Sequence, residues 1–581
     1  MKNIIKISAL AICMFLSNGC SDVLEIKNIS AFDPNATWND VQLADAYLTN
    51  LYAEVLPNAW PTGSGASERG LPADETVGVM GPNAITTNSH PWAGSFESEY
   101  QTIRRTNILL SEIETGTLET SVKNTIVGQA LFLRAWSYFN LVRVYGGIPL
   151  ILKPQALTED LLVTRNSSLE VFQSIIADLN KSIELLAGQK FAKNDKGRIG
   201  LASALAFKGR VMMMMASPLF NPDAPYSNKY WAEALTATET AKTQLESMGF
   251  GLNDKYAEIW SVGNEGNKEA VLTVKFTTPN KSNGRREDNV RPLTQSKNST
   301  GGDQPIWKHV QAYPMVDGMA VGTSAKYDYK LENYWLNRDP RFYTNVVYNA
   351  AIFELSGIKG RRQYTDKDLS DSQDRFGETG QFLRTGFYTR KGLQESLIVE
   401  QVALNDVDWI EIRFAEVLLN YAEAANENGK SAEAIAVLKQ IRKRAGIEAG
   451  ASDNYGLVGL VSKEKIREAI FTERYIEFAY EGKRFWDLKR SRKLTSLDGE
   501  TQTGLLSTLK AGINPQTDPR GQFDYLPTDF DYKVIPITPT TVAKHTVPDN
   551  YYFAPIPLAQ IQKNAKLDQN TEWGGAFKAT F

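Results

Sequence analysis

The chain has 581 residues, with 64 lysines and arginines against 67 aspartates and glutamates, for a formal net charge of −3. With no basic excess, a nucleic-acid partner is not expected. Two cysteines occur, Cys13 and Cys20, and the three histidines, His90, His309 and His545, stand far apart with no second ligand at metal spacing. Once a leader carrying Cys13 is removed, thiol catalysis and cysteine-based zinc or iron–sulfur centres drop out together. No cofactor is expected.

At the N-terminus, Lys2 and Lys6 form a basic n-region, and Ile7 to Leu16 form an apolar stretch of signal-peptide length. That stretch is shorter than the roughly 20 residues a bilayer span takes. It closes on Leu16-Ser17-Asn18-Gly19-Cys20, which resembles a bacterial lipoprotein cleavage box. The resemblance implies a signal peptide over 1–19, cleavage before Cys20 and lipidation of Cys20. Two or more acyl chains hold a protein stably at a membrane. No later stretch reaches the roughly 18 uninterrupted apolar residues read as a spanning helix.

Helical periodicity dominates the next part of the chain. Apolar residues recur with helical spacing over Trp38–Leu56, Phe96–Glu114 and Leu118–Tyr145, the last stopped by Gly146-Gly147-Ile148-Pro149. Further helices are expected over Ser167–Leu186, Leu201–Ser217 and Trp231–Met248. The run Met212–Met215 reads as adaptable core filling. Arg134 and Arg143 are expected to pair with acidic neighbours.

The middle changes character. Glu269–Phe276 reads as a short strand, residues 277–310 as a polar loop, and about 350–408 as irregular chain. Irregular stretches this long inside a compact domain are usually functional or disordered. Helices return over Trp409–Asn428 and Ser431–Arg444, joined through Gly429-Lys430, a pair that resembles a tetratricopeptide unit. Val461–Tyr480 reads as a further helix and Phe485–Lys489 as its extension or successor. From about 495 the chain is turn-rich.

Several stretches together resemble the SusD/RagB family of outer-membrane lipoproteins. They are ALFLRAWSYFNLVRVYGGIP over Ala130–Pro149, Arg338-Asp339-Pro340-Arg341 behind Pro314-Met315-Val316-Asp317-Gly318, IRFAEVLLNYAEAAN over Ile412–Asn426, ERYIEFAYEGKRFWDLK over Glu473–Lys489, and YFAPIPLAQIQKNAKLDQN over Tyr552–Asn570. They run in order behind the cleavage box. The resemblance implies a mainly α fold, with tetratricopeptide-like helix pairs as scaffold and long irregular loops with a few short strands as the ligand face. It implies one domain over 20–581: a helical part over 20–260, a loop-rich ligand-binding part over 261–410 and a helical part over 411–581. The basic run Lys483, Arg484, Lys489, Arg490, Arg492 and Lys493 reads as a solvated face with internal ion pairs to Glu473, Glu477, Glu481 and Asp487.

No zinc-protease, nucleophile-elbow or Walker motif is present, so an enzyme is not expected. The resemblance implies capture of an oligosaccharide, or of a peptide in RagB-like cases, for a SusC-type TonB-dependent barrel in the outer membrane. A surface glycan hydrolase is the alternative, since carboxylate pairs cannot be told apart by sequence. Sugars pack their C–H faces on aromatic rings and need polar groups at the edge. Aromatic residues in polar, irregular segments are therefore the expected ligand contacts: Trp60 with Asp74, Trp92, and Trp307 with Asn283, Arg286 and Asp303.

Overall fold

The computed structural model describes residues 34–581 apart from 58–59, 61–71, 190, 192–196, 262–265, 298, 300, 370–373, 378–382, 521–523 and 538–543. The signal-peptide reading over 1–19 and the lipid site at Cys20 lie outside the described residues. No helix among the described residues is long and apolar enough to cross a membrane.

The first part is a run of helices: α1 (Val41–Val55), α2 (Ala93–Glu112), α3 (Thr120–Tyr145), α4 (Ser168–Leu186), α5 (Leu201–Ala216) and α6 (Tyr230–Ser247). Each follows the periodicity of its sequence, and the starts carry local signals. The Asp40 carboxylate accepts from the amides of Gln42 and Leu43 ahead of α1. Ser167 and Glu170 form a reciprocal capping box at α4, satisfying amides the helix itself leaves open. Helices α3 and α4 lie side by side, as do α5 and α6. Arg134 on α3 is held by both carboxylate oxygens of Asp178 on α4, at 2.8 and 2.7 Å, as its pairing expectation required. All four methionines of 212–215 are buried on α5.

Strand β1 (Ala270–Val274) then pairs antiparallel with β2 (Trp409–Arg413). This corrects the expectation of a helix beginning at Trp409. Trp409, Ile410 and Ile412 are buried and extended against β1, and the helix α7 (Phe414–Glu427) starts only where Arg413 ends the strand. Helix α8 (Ser431–Ala445) packs back on α7 through Gly429, whose φ of +83° makes the turn. Helix α9 (Lys463–Glu477) lies along α7, and α10 (Arg484–Arg490) follows it. The helix pairs α3/α4, α5/α6 and α7/α8 are the scaffold, and the fold is mainly α with few short strands.

Between β1 and β2 the chain is irregular, with short helices at Gly284–Val290, Trp307–Ala312 and Pro340–Asn345 and two-residue strand pairs. The turn-rich C-terminal part contains a hairpin the sequence reading lacks. Strand β3 (Thr503–Leu509) pairs with β4 (Phe530–Pro536) in unbroken register from Thr503–Pro536 to Leu509–Phe530. One apolar core runs from Trp38 to Ala579 through both helical parts.

Candidate functional site

A cavity of about 200 Å³ lies where α1, α2, α3 and α5 meet β2, α7 and the turn between α9 and α10. Its aromatic walls are Trp92, Trp136, Phe139, Trp409 and Trp486. Glu54, Pro57, Ser95 and Ser98 lie toward its more exposed side.

Most charged groups in its wall are paired. Arg210 on α5 donates to Glu411 at 2.7 Å and to Glu416 at 2.7 and 2.9 Å. Lys483 adds a second cation to Glu416 at 2.8 Å. The Trp409 indole N–H donates to Glu411 at 2.9 Å. Burial alone would raise the carboxyl pKa values of Glu411 and Glu416. The charges of Arg210 and Lys483 outweigh it and hold both below the usual carboxylate range. Asp487 is likewise held low against its burial by Arg474 and Arg490, to which it bonds at 2.8 and 2.9 Å.

Arg143 differs. It lines the cavity from α3, and its guanidinium carbon lies 4.0 Å from the Trp486 ring centre and 5.3 Å from that of Phe139. It donates to the Asn140 side chain at 2.7 Å, and Asn140 in turn donates to Glu99 at 2.9 Å. No carboxylate forms an ion pair with Arg143 among the described residues, and its buried Nε has no hydrogen-bond partner among them. The expected acidic partner is therefore replaced by an aromatic stack. Behind the same indoles sits Lys489, fully buried, its Nζ 5.4 Å from the Trp92 ring centre and 5.3 Å from that of Trp486.

Of the expected contacts, Trp92 lines this cavity, although its ring is 3% exposed and packs on Phe485 and Trp486. The others are placed differently. Trp60 is 1% exposed, wedged against Trp260 and Trp409 with ring centres 4.4 and 5.0 Å apart. Asp74 is buried and bound by both its oxygens to Arg484 at 2.7 and 2.9 Å. Burial would raise its pKa; the Arg484 hydrogen bonds and charge override this and lower it. Trp307 is buried, stacked near Phe387 and edge-on to Tyr334. Asp303 is buried with φ +49°, and its carbonyl accepts from Thr389. Asn283 is buried and donates to the Val407 carbonyl at 3.0 Å. The backbone of Arg286 lies in the Gly284–Val290 helix; its side chain is outside the described residues.

Trp60 and Trp307 are buried about as deeply as the aromatic walls of the cavity, and neither of them lines it. The structure does bring two of the expected regions together. Val77 donates to the Gln304 carbonyl at 2.8 Å and Ile306 to that of Glu75 at 3.2 Å, seating the Asp74 segment on the Asp303–Trp307 segment. Asn283 lies apart, beside Asn405 and Val407. Sequence reasoning missed Trp136, Arg143, Arg210, Lys483 and Trp486 as wall residues. The signal was present, since Trp136, Arg143, Lys483 and Trp486 sit in segments read as structural.

The chain matches the family model described as "SusD family" over residues 261–573, and one described as "Starch-binding associating with outer membrane" over 73–213. A SusD-like protein of Formosa agariphila is 24% identical over 519 residues, covering 86% of this chain and 93% of that protein. Among solved structures, a SusD-like protein of Bacteroides fragilis superposes with a TM-score of 0.72 at 25% identity, covering 93% of this chain and 98% of the other. A second from the same species, described as a SusD-like carbohydrate-binding protein, gives 0.71 at 22% identity, covering 91% and 99%. The first match takes in more than half of the chain, from the irregular middle through α7–α10 to the C-terminal segment, and the chain belongs to the SusD family.

Proposed function

We propose that the protein is a receptor that captures a saccharide at the outer membrane and delivers it to a SusC-type TonB-dependent barrel. The observation that carries this reading is the cavity. Its wall sets the indoles of Trp92, Trp136, Trp409 and Trp486 beside polar groups, around a volume suited to one sugar ring. The family match, the outer-membrane starch-binding description and the carbohydrate-binding solved relative support the ligand class. Lipidation at Cys20 would keep the protein at the membrane surface.

Receptor is favoured over hydrolase by the state of the wall carboxylates. A glycosidase needs one carboxyl with a raised pKa as general acid. Three of the wall carboxylates, Glu411, Glu416 and Asp487, are instead held as carboxylates by arginine and lysine, and a fourth, Glu481, is paired with Lys391 and Arg413. Incubating the purified protein with candidate glycans separates the readings. Binding measured by calorimetry with no shortened product is expected, and product formation would assign the site to hydrolysis.

A further inference from the structure

We infer that the cavity takes the uncharged terminal unit of a saccharide chain, one ring inserted end-on, rather than a stretch from the interior of the chain. The inference rests on the saccharide-capture reading above and deepens it by naming the part of the chain that is held.

Shape selects the end of the chain. The cavity of about 200 Å³ has room for one ring. Of the described residues around it, only Ala53, Glu54 and Ser98 are exposed. These lie on one side. Helix α1 packs on α2, and Glu54 is ion-paired to Arg105, which stands two helical turns beyond Ser98 on the same face of α2. Small side chains keep that side clear: Ala53 on α1, and Ser95 and Ser98 on α2. The opposite side is shut by buried groups. Met213 and Met214 close it from α5, and Arg474 donates to Asn420 at 2.9 Å and to Asp487 at 2.8 Å. A ring within a chain carries a glycosidic bond at each side and needs two ways out. A terminal ring needs one.

Charge selects against an ion. The wall carries its charges as matched sets: Arg210 and Lys483 with Glu411 and Glu416, Arg474 and Arg490 with Asp487, Glu481 with Lys391 and Arg413. Arg143 stands in the fields of Glu411 and Glu99. A carboxylate or sulfate brought in among such pairs would lose its water and find no counter-charge awaiting it. An uncharged unit has only hydroxyls to satisfy, and Ser95, Ser98 and Asn140 line the cavity with groups that pair with hydroxyls.

The test is calorimetry in solution with a panel of neutral linear oligosaccharides, followed by modified forms of each one bound. One form is reduced to the alditol at its reducing end, and another carries a cyclic acetal on its non-reducing unit. One of the two is expected to bind at least tenfold more weakly, and its identity tells which end enters. Oxidising that terminal unit to a uronate is expected to weaken binding at least as much. Ser98→Trp, which plugs the open side, is expected to do the same with an unchanged melting temperature. Ala53→Trp, on the facing helix, is the second plug should the first fail to fold. Undiminished binding with both ends modified, with the uronate, or by a folded plug variant would overturn the inference and leave saccharide capture standing. Binding of acidic chains alone would do so as well. No bound glycan of either kind would remove the capture reading itself.

Discussion

Trp60 is packed on three sides by Trp260, Trp409 and Gly392, where an added Cβ would fall 2.4 Å from the indole. Truncation there opens a hole rather than a binding face. Trp60→Ala is expected to cost about 3–5 kcal/mol in urea unfolding, while saccharide affinity of the folded fraction stays within a factor of two. A tenfold affinity loss without a stability loss would return Trp60 to the ligand. Glu75 makes a different kind of case. Burial, reinforced by the charge of Asp74, lifts its carboxyl to about 8, over the opposing hydrogen bond from the Tyr480 amide at 3.1 Å and the charges of Arg484 and Lys391. The folded value is raised, so the contribution is fully present below the unfolded value near 4.5 and is lost as pH climbs through about 8. At about 1.4 kcal/mol for each tenfold change in proton affinity, the loss amounts to a few kcal/mol. Glu75→Gln cannot ionise and is expected to flatten the fall in melting temperature between pH 5 and pH 8.5. Parallel pH profiles for the parent and Glu75→Gln would refute the assignment.

At the scale of elements, α3 ends where backbone must approach backbone. A Cβ on Gly147 would lie 2.1 Å from the Asn166 carbonyl oxygen, and one on Gly146, at φ +76°, 2.5 Å from the Ala579 Cβ. The C-terminal segment is threaded through that gap, with Asn570 donating to the Tyr145 and Ala554 carbonyls and Ser168 to that of Ala579. Gly147→Ala should therefore cost at least 1–3 kcal/mol, in the range of overpacked cores, and expose the tail to protease. Gly94, in the first turn of α2 with nothing within 4 Å, is the contrast. Gly94→Ala is expected to gain about 0.5–1 kcal/mol. Equal denaturation midpoints for the two variants would contradict both arguments. The helices were legible in the sequence because their apolar stripes are long and their stops are explicit, as at Gly146-Gly147. What misled was Trp409-Ile410-Glu411-Ile412-Arg413, whose alternation was absorbed into the helix that follows it. Its partner β1 lies more than a hundred residues upstream, and strand pairing over that distance leaves no local mark. The site was less legible for a related reason. Arg143 and Trp486 stand on helices far apart in sequence, and their contact exists only once α3 and α10 pack together. Looking for aromatics in polar loops found Trp92 but not the helical residues opposite it.

The whole molecule is tied together by charge as well as by apolar packing. Arg413, at the end of β2, donates to Glu269 ahead of β1 at 2.6 Å, to Glu477 on α9 at 2.7 Å and to Glu481 beyond it at 3.0 Å. Arg341 from the irregular middle reaches Asp339, Glu473 and Glu477 in the same interior, Arg444 on α8 reaches Glu269 and Glu477, and Lys391 reaches Glu481. None of these groups except Arg444 has any exposed side chain, and its side chain is only 5% exposed. The network joins the middle part to the C-terminal helices, and the apolar core spans both helical parts. A chain coupled in this way should unfold as one unit, in a single calorimetric transition. Arg413→Met tests the coupling. It leaves Glu269, Glu477 and Glu481 short of a cation, and removing one partner of a buried pair typically costs about 3–5 kcal/mol. The whole transition should move down in temperature without splitting. Burial would raise the Glu477 pKa, but Arg444, Arg413 and Arg341 together lower it, so its contribution is present above the unfolded value and fades as pH falls through the folded one. The penalty of Arg413→Met should therefore shrink in strong acid, where the stranded carboxylates take up protons. A second transition in the parent protein, or an Arg413→Met penalty confined to one of two transitions, would show instead that the helical parts and the loop-rich middle fold separately.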